Sequence, residues 1–316
     1  MSLPNPFPAP WASAWGEDRF GLWMTLVYQT AKQTFRWIEP GTFLMGSPET
    51  ELERDNDETQ HVVTLTQGYW LADSACTQAL WLAVMGENPS HFTENPNNPV
   101  EQVSWKDVQG FIEKLNGFVQ GLNARLPTEA EWEYACRAGT TTPFAFGDTI
   151  TPEQVNYDGN YPYADGAKGL YREQTVPVKS LPPNPWGLYE MHGNVWEWCE
   201  DWFGDYAAEP QTDPHGPETG AYRVLRGGSW YNFGRYVRSA NRGRYEPDYG
   251  SFNFGFRLAL GQTSPSQTAA PSLPGQPLAE RRGGQGKGGA AEDLKIDEPK
   301  TQGWMKRLQD WIKPPF

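Results

Sequence analysis

The fold of this 316-residue chain is decided by the stretch NPWGLYEMHGNVWEW, residues 184–198. Its first ten residues are rich in Pro, Gly and Asn, which interrupt helices and strands and favour turns. Trp196 and Trp198 lie two positions apart, so in a strand both side chains would face the same side. The stretch therefore predicts a long loop that leads into a buried strand.

The composition extends this pattern to the whole chain. There are 33 Gly, 28 Pro and 15 Trp, and aromatic residues make up 14%. These values exclude a collagen, a coiled coil and a wholly disordered chain. No run approaches the ~20 apolar residues of a membrane span, which argues against a membrane partner. The net charge of -13 would repel phosphate backbones, so nucleic acid is not expected as a partner.

Three cysteines, Cys76, Cys136 and Cys199, are spaced too widely for a metal-binding CxxC knuckle. An odd number cannot pair completely within one chain, and we interpret them as buried thiols in a reducing compartment. The sequence begins MSLPNPFP, without a basic n-region, an apolar h-region or a lipobox cysteine. We therefore expect a cytoplasmic location.

Several segments predict regular structure. Residues 36–47 read as strand, turn, strand, and His61–Leu65 alternates as a strand does. The acidic run Glu49–Glu58 is interpreted as a solvated loop. Helices are predicted over Thr77–Met85, from Ser104 onward and after Thr128, where Thr128 and Glu131 form a capping box. A β-rich stretch covers residues 222–260.

The composition changes sharply at Gly261. We assign residues 1–32 to an N-terminal lead, 33–260 to one domain, 261–300 to a disordered linker and 301–316 to an amphipathic C-terminal segment. In residues 304–312 the apolar positions share one helical face. Packing onto the domain, docking to a partner protein and anchoring at a membrane surface stay open as roles for that helix.

Five blocks occur in order along the chain. Together they resemble the formylglycine-generating enzyme (sulfatase-modifying factor) family, and the resemblance covers about residues 33–260. It implies an α+β, C-type-lectin-like fold that is loop-rich and low in regular secondary structure. The blocks are FLMGS (43–47), PVEQVSW (99–105), RLPTEAEWE (125–133), NPWGLYEMHGNVWEW (184–198), and RGGSW (226–230) with GFRL (255–258).

The resemblance also bears on catalysis. The family's oxidases bind copper through two cysteines five residues apart, and those positions fall at about Asn232 and Val237 here. Neither side chain can supply a thiolate, which argues against a copper oxidase. The four histidines show no metal-binding pair, and structural or surface roles are expected for them. We expect a non-catalytic protein; the alternative is a sulfatase-modifying oxidase that lacks the usual cysteine pair.

Calcium is the one metal that the resemblance leaves open. By position, the ligands would be the side chains of Glu190 and Glu197 and the carbonyls of Gly193 and Val195. Such an all-oxygen set suits Ca²⁺. Asn156 could belong to a second site.

Residues 230–254, WYNFGRYVRSANRGRYEPDYGSFNF, combine eight aromatic residues with four Arg and three Asn. This mixture is typical of antibody binding loops, in which Tyr supplies rigid contact area and Asn and Arg supply directional hydrogen bonds. A core role fits Trp230, Phe254 and Phe256. For the remainder we predict a surface at 231–253 that binds a protein or another macromolecule.

The same segment resembles the variable proteins of diversity-generating retroelements, which display residues mutated at adenines in AAY codons. Every candidate variable position carries a residue type that such codons can encode. These positions lie between the residues that match the variable-protein pattern. In those proteins the variable segment often ends the chain, whereas here residues 261–316 follow it. The candidates are Tyr231, Asn232, Phe233, Tyr236, Gly243, Tyr245, Tyr249, Ser251, Phe252 and Asn253.

Overall fold

The computed structural model describes residues 4–261, and the predictions for the linker and for the helix at 304–312 lie outside these residues. Within this described part of the chain, thirteen strands and three α-helices alternate with long loops. The strands are β1 (Ala14–Asp18), β2 (Gly21–Tyr28), β3 (Ala31–Ile38), β4 (Gly41–Met45), β5 (His61–Leu65), β6 (Tyr69–Ala72), β7 (Ala124–Arg125), β8 (Trp196–Trp202), β9 (Gln211–Thr212), β10 (Arg223–Arg226), β11 (Arg242–Tyr245), β12 (Phe254–Gly255) and β13 (Ala259–Leu260). The helices are α1 (Gln78–Met85), α2 (Trp105–Phe118) and α3 (Glu129–Arg137).

Three sheets organise these strands. The largest has the order β1-β2-β3-β6-β13-β7, the second β11-β10-β8-β12 and the third β4-β5-β9. Strand β13 pairs antiparallel with both β6 and β7, so the last described strand lies inside the largest sheet, one position from its edge. In the second sheet β8, the strand predicted from Trp196 and Trp198, lies between β10 and β12. These features confirm the α+β, loop-rich, C-type-lectin-like fold.

Side-chain caps start all three helices. The hydroxyl of Thr77 accepts the N–H of Leu80 at α1. Ser104 and Asp107 form a reciprocal capping box at α2, and Thr128 and Glu131 form another at α3. Such caps satisfy backbone donors that a helix leaves unpaired at its start. The helix starts predicted from the sequence are therefore confirmed.

The tryptophans of the motif blocks lie in the core. Trp132 and Trp198 are both fully buried. Each indole N–H has a partner: Trp132 donates to Glu197 at 2.7 Å and Trp198 to the carbonyl of Val103 at 3.0 Å. Buried polar atoms require such partners, so these two rings tie β8 to α3 and to the PVEQVSW block.

The sheet begins earlier than the expected domain start at residue 33. Strands β1 and β2 form a hairpin that continues through β3 into the largest sheet. Met24 and Leu26 of β2 are buried in its core. The hairpin was not predicted from the sequence because β1 carries exposed polar residues and one exposed Trp. Within residues 4–261, no helix is long and apolar enough to cross a lipid bilayer.

Candidate recognition surface

The segment at residues 231–253, here called the recognition segment, follows a tight turn at the end of β10. Gly227 and Gly228 both have positive φ, at 94° and 69°. A Cβ on Gly228 would lie 2.5 Å from the side chain of Val237, so the RGGSW block needs glycine at this point. The chain then passes through a 3₁₀ turn, Gly234–Val237, before it enters β11.

The centre of the recognition segment is buried. Val237, Arg238, Ser239, Ala240 and Asn241 are at most 1% exposed. Arg226 of β10 donates hydrogen bonds to the carbonyls of Ser239, Ala240 and Asn241. This stretch is therefore a fixed base, and the residues on either side of it project from that base.

The acidic loop, residues 49–58, supplies the carboxylates that pair with Arg238 in this buried stretch. Arg238 donates to both carboxylate oxygens of Glu58, at 2.7 and 2.8 Å, and to Glu51 at 2.6 Å. The side chains of Glu51 and Glu58 are at most 3% exposed, so a solvated loop was the wrong prediction for them. Burial acts to raise the pKa of Glu58, but the hydrogen bonds and charge of Arg238 outweigh it and hold that pKa below its ordinary value.

The ten candidate variable residues divide by exposure. Phe233 and Tyr249 are exposed, at 37% and 45%. Half-buried are Tyr231, Tyr236, Gly243, Tyr245, Ser251 and Phe252. Asn232 and Asn253 were expected at the surface, yet the structure buries both. Both contact the hydroxyl of Ser229, Asn232 at 2.6 Å and Asn253 at 3.1 Å, because the chain needs polar partners for that buried hydroxyl.

Aromatic rings from outside the recognition segment join its surface. Tyr161 lies 4.1 Å from Phe233 between ring centroids, and Tyr171 lies 6.2 Å from Trp230. Trp230 also contacts Tyr231 and Phe252. Sequence reasoning missed Tyr161 and Tyr171, which come from a loop some 70 residues upstream by chain position. The signal available was an unusual density of tyrosine in an otherwise polar loop.

The base is also held by a buried histidine. His192 Nδ1 lies 2.7 Å from the carbonyl of Val237, and Nε2 lies 3.1 Å from the backbone N of Ala145. A carbonyl only accepts and an N–H only donates, so the ring is neutral with its proton on Nδ1. Burial lowers the pKa of His192 to about 4. This histidine is structural, as expected.

The three cysteines are free and buried. Cys136 lies beside His192, with Sγ 3.7 Å from Nε2. Burial raises the pKa of Cys136 to about 12 and those of Cys76 and Cys199 well above the ordinary value. Such thiols are poor nucleophiles and poor metal ligands.

The residues expected to bind calcium are engaged with protein groups. Both carboxylate oxygens of Glu197 accept from Arg257, at 2.6 and 2.7 Å. The carboxylate of Glu190 accepts the N–H groups of Lys179 and Leu181, and burial raises its pKa to about 7. A carboxylate already neutralised by a guanidinium is a poor Ca²⁺ ligand.

The backbone next to these carboxylates lies in the interior of the domain. The N–H of Gly193 donates to the carbonyl of Gly227, and Val195 is buried. Among residues 4–261 no group of three or more His, Cys, Asp or Glu is placed to hold a metal. The two carboxylates of the expected set are therefore paired with protein donors, and calcium at this position stays a prediction. Asn156 Oδ1 is buried and has no hydrogen-bond partner among the described residues, so the second expected position keeps one available oxygen.

A family model, described as sulfatase-modifying factor enzyme 1-like domain, matches residues 24–261. The chain belongs to this family. The match begins within β2, in agreement with the early start of the sheet.

Members of the sulfatase-modifying factor family differ in activity. The formylglycine-generating enzyme of Streptomyces coelicolor is 40% identical over 227 residues, which cover 66% of this chain and 70% of that protein. The inactive Cα-formylglycine-generating enzyme 2 of Bos taurus is 31% identical over 246 residues, covering 75% of this chain and 71% of that one. Membership therefore leaves open whether a member is an enzyme.

Two solved structures share the fold. Treponema denticola variable protein 1 superposes with a TM-score of 0.66 at 28% identity, covering 75% of this chain and 98% of that protein. PvdO from Pseudomonas aeruginosa gives a TM-score of 0.61 at 26% identity, covering 79% and 99%. The family fold thus includes a variable protein among its structural relatives.

Proposed function

We propose that this chain is a non-catalytic binding protein that recognises a macromolecule, most directly another protein, through the recognition segment. The observation that carries the proposal is the division of that segment. Residues 237–241 are buried and held by Arg226 and by the acidic loop, whereas eight of the ten candidate variable positions reach solvent. A rigid base with accessible aromatic side chains is the arrangement that binding loops use.

The accessible residues suit protein recognition. Tyr and Phe provide large contact areas at a small entropic cost, and they are enriched where binding energy is concentrated. The stacked pair Tyr245 and Tyr249, 4.2 Å apart, and the pair Tyr161 and Phe233 are pre-ordered before any partner arrives. Pre-ordering reduces the entropy lost on binding.

The residues at the family's cysteine positions support a non-catalytic role. Asn232 is buried against Ser229, and Val237 is fully buried beneath Gly228. Neither position carries sulfur, and no cysteine follows Cys199 in the sequence.

A display library provides the direct test. The eight accessible candidate positions are randomised with AAY-derived codons, and the library is selected against an unrelated folded protein. We expect folded binders whose affinity depends on those positions. A matched library that randomises residues 237–241 should yield few folded members. If the first library folds but never yields a binder, the proposed function is wrong.

The retroelement version of the proposal has its own test. We propose that the ten candidate positions are diversified at adenines. A near-identical template repeat beside a reverse transcriptase gene in the flanking DNA would support this. If neither is found, diversification is excluded, while recognition by a fixed surface is unaffected.

The second candidate function is peptide cysteine oxidation, favoured by the 40% identity to the Streptomyces enzyme. The test incubates the purified protein with a Cys-Thr-Pro-Ser-Arg peptide, copper and oxygen, and follows the peptide by mass spectrometry. We expect no aldehyde product. Formation of formylglycine above a protein-free control would replace the binding proposal with an enzyme.

A further inference from the structure

A cavity of about 320 Å³ opens on another part of the domain. Its walls come from the end of β8, the loop after it, the first residues of α3 and His61 of β5. None of the ten candidate variable residues lines it among the described part of the chain. The volume lies at the lower end of the range of small-molecule sites.

The positive charge in the wall is already used. Arg242 donates to both oxygens of Glu129, at 2.7 and 2.9 Å, and also to the carbonyls of Asp57 and Gly204. Tyr206 donates its hydroxyl proton to Glu129 as well. This pair is therefore neutral and saturated, and it offers little to an anionic ligand.

Acceptors remain available in the same wall. Asp201 is 4% exposed; its Oδ2 accepts the N–H of Glu129 at 2.8 Å, and its Oδ1 has no hydrogen-bond partner within residues 4–261. His61 Nδ1 lies 3.0 Å from the carbonyl of Thr59, which in the neutral ring leaves Nε2 as an acceptor. Asp205 adds an exposed carboxylate at the rim. Apart from the rings of Trp202 and His215, which also line the wall, the unused groups are acceptors.

We propose that this cavity binds a small alkyl diamine, with one of its ammonium groups against Asp201 and the rim carboxylate of Asp205. Burial and the nearby carboxylate of Glu129 raise the pKa of Asp201 well above its ordinary value. An ammonium group placed against Asp201 would favour its ionised form. The site is separate from the recognition segment, so it would stay constant if that segment were diversified.

The test measures binding of 1,4-diaminobutane to the full chain by isothermal titration calorimetry at physiological salt. The uncharged analogue 1,4-butanediol and the dianion succinate serve as ligand controls. We expect saturable one-to-one binding of the diamine only. Asp205→Asn should weaken it about tenfold, the usual effect of losing one charge-assisted contact.

Two neighbouring substitutions distinguish binding in the cavity from general electrostatic attraction to an acidic protein. Ala207 lines the cavity and Ala208 does not, although both are exposed in the same loop. Ala207→Trp should block the cavity and abolish binding, and Ala208→Trp should bind as the parent does. Equal binding by both variants, binding of succinate, or no diamine binding at millimolar concentration would each overturn the proposal.

Discussion

Glu101, in the PVEQVSW block, is a carboxyl group buried without a counter-charge. It is 0% exposed; its Oε1 accepts the N–H groups of His91 and Phe92, and Oε2 has no partner in the described structure. Burial raises its pKa to about 7. A raised folded-state pKa means that its stability contribution is complete below the ordinary value of 4.5 and is lost as the pH rises through about 7.

Replacing this carboxyl with a neutral amide should remove that loss. We expect Glu101→Gln to match the parent near pH 4.5 and to exceed it at pH 8 by about 1–3 kcal/mol in the free energy of unfolding. Urea denaturation across this pH range measures the difference. Glu113→Gln, on the exposed face of α2, is the control. Parallel curves for parent and Glu101→Gln would contradict the argument.

Substitutions at Asn232 and Asn253 should destabilise the domain more than substitutions at the other candidate variable positions. A tyrosine at either position would break the contact with Ser229 and overfill a buried site, at a cost of about 1–3 kcal/mol. Tyr249→Asn, at an exposed position, should cost about 0.5–1 kcal/mol. Thermal melting of the three variants tests this order, and an equal loss in all three would show that burial does not separate these positions.

At the scale of elements, the acidic loop and the base of the recognition segment depend on each other. Arg238→Ala would leave Glu51 and Glu58 buried without a counter-charge, at a cost of about 3–5 kcal/mol. Arg235 pairs with Asp55, and their side chains are 32% and 40% exposed, so Arg235→Ala should cost at most about 1 kcal/mol. Equal losses of stability for the two variants would refute a special role for the buried network.

The same elements show what the sequence could predict. Helix starts were predictable because a cap acts within three residues, as Thr128 and Glu131 do. The burial of the acidic loop was not predicted because Glu58 pairs with Arg238, which lies 180 residues away in the sequence. A single sequence carries no sign of that pairing. Asn232 and Asn253 were wrongly predicted at the surface for a related reason. Asn is typical of binding loops, but both side chains hydrogen-bond to the buried hydroxyl of Ser229.

At the scale of the whole molecule, the aromatic residues divide between two tasks. Most motif tryptophans, such as Trp132 and Trp198, hold loops and helices to the sheets. The tyrosines and phenylalanines after Trp230 lie on the recognition surface together with Tyr161 and Tyr171. A fold low in regular structure needs the first group to be rigid, and only then can the second group present a defined surface.

The domain should be complete without residues 262–316. Among residues 4–261, the buried core clusters are formed by residues between Met24 and Leu260, and β13 lies between β6 and β7 in the largest sheet. We expect a chain that ends at Gly261 to melt within about 2 °C of the parent, since 1 kcal/mol corresponds to roughly 2–4 °C in a domain of this size. A chain that ends at Arg257 is the matched control: it lacks β13, whose Ala259 and Leu260 are buried between β6 and β7, and should not fold. A large fall in melting temperature for the longer truncation product would show that residues beyond 261 pack as part of the core.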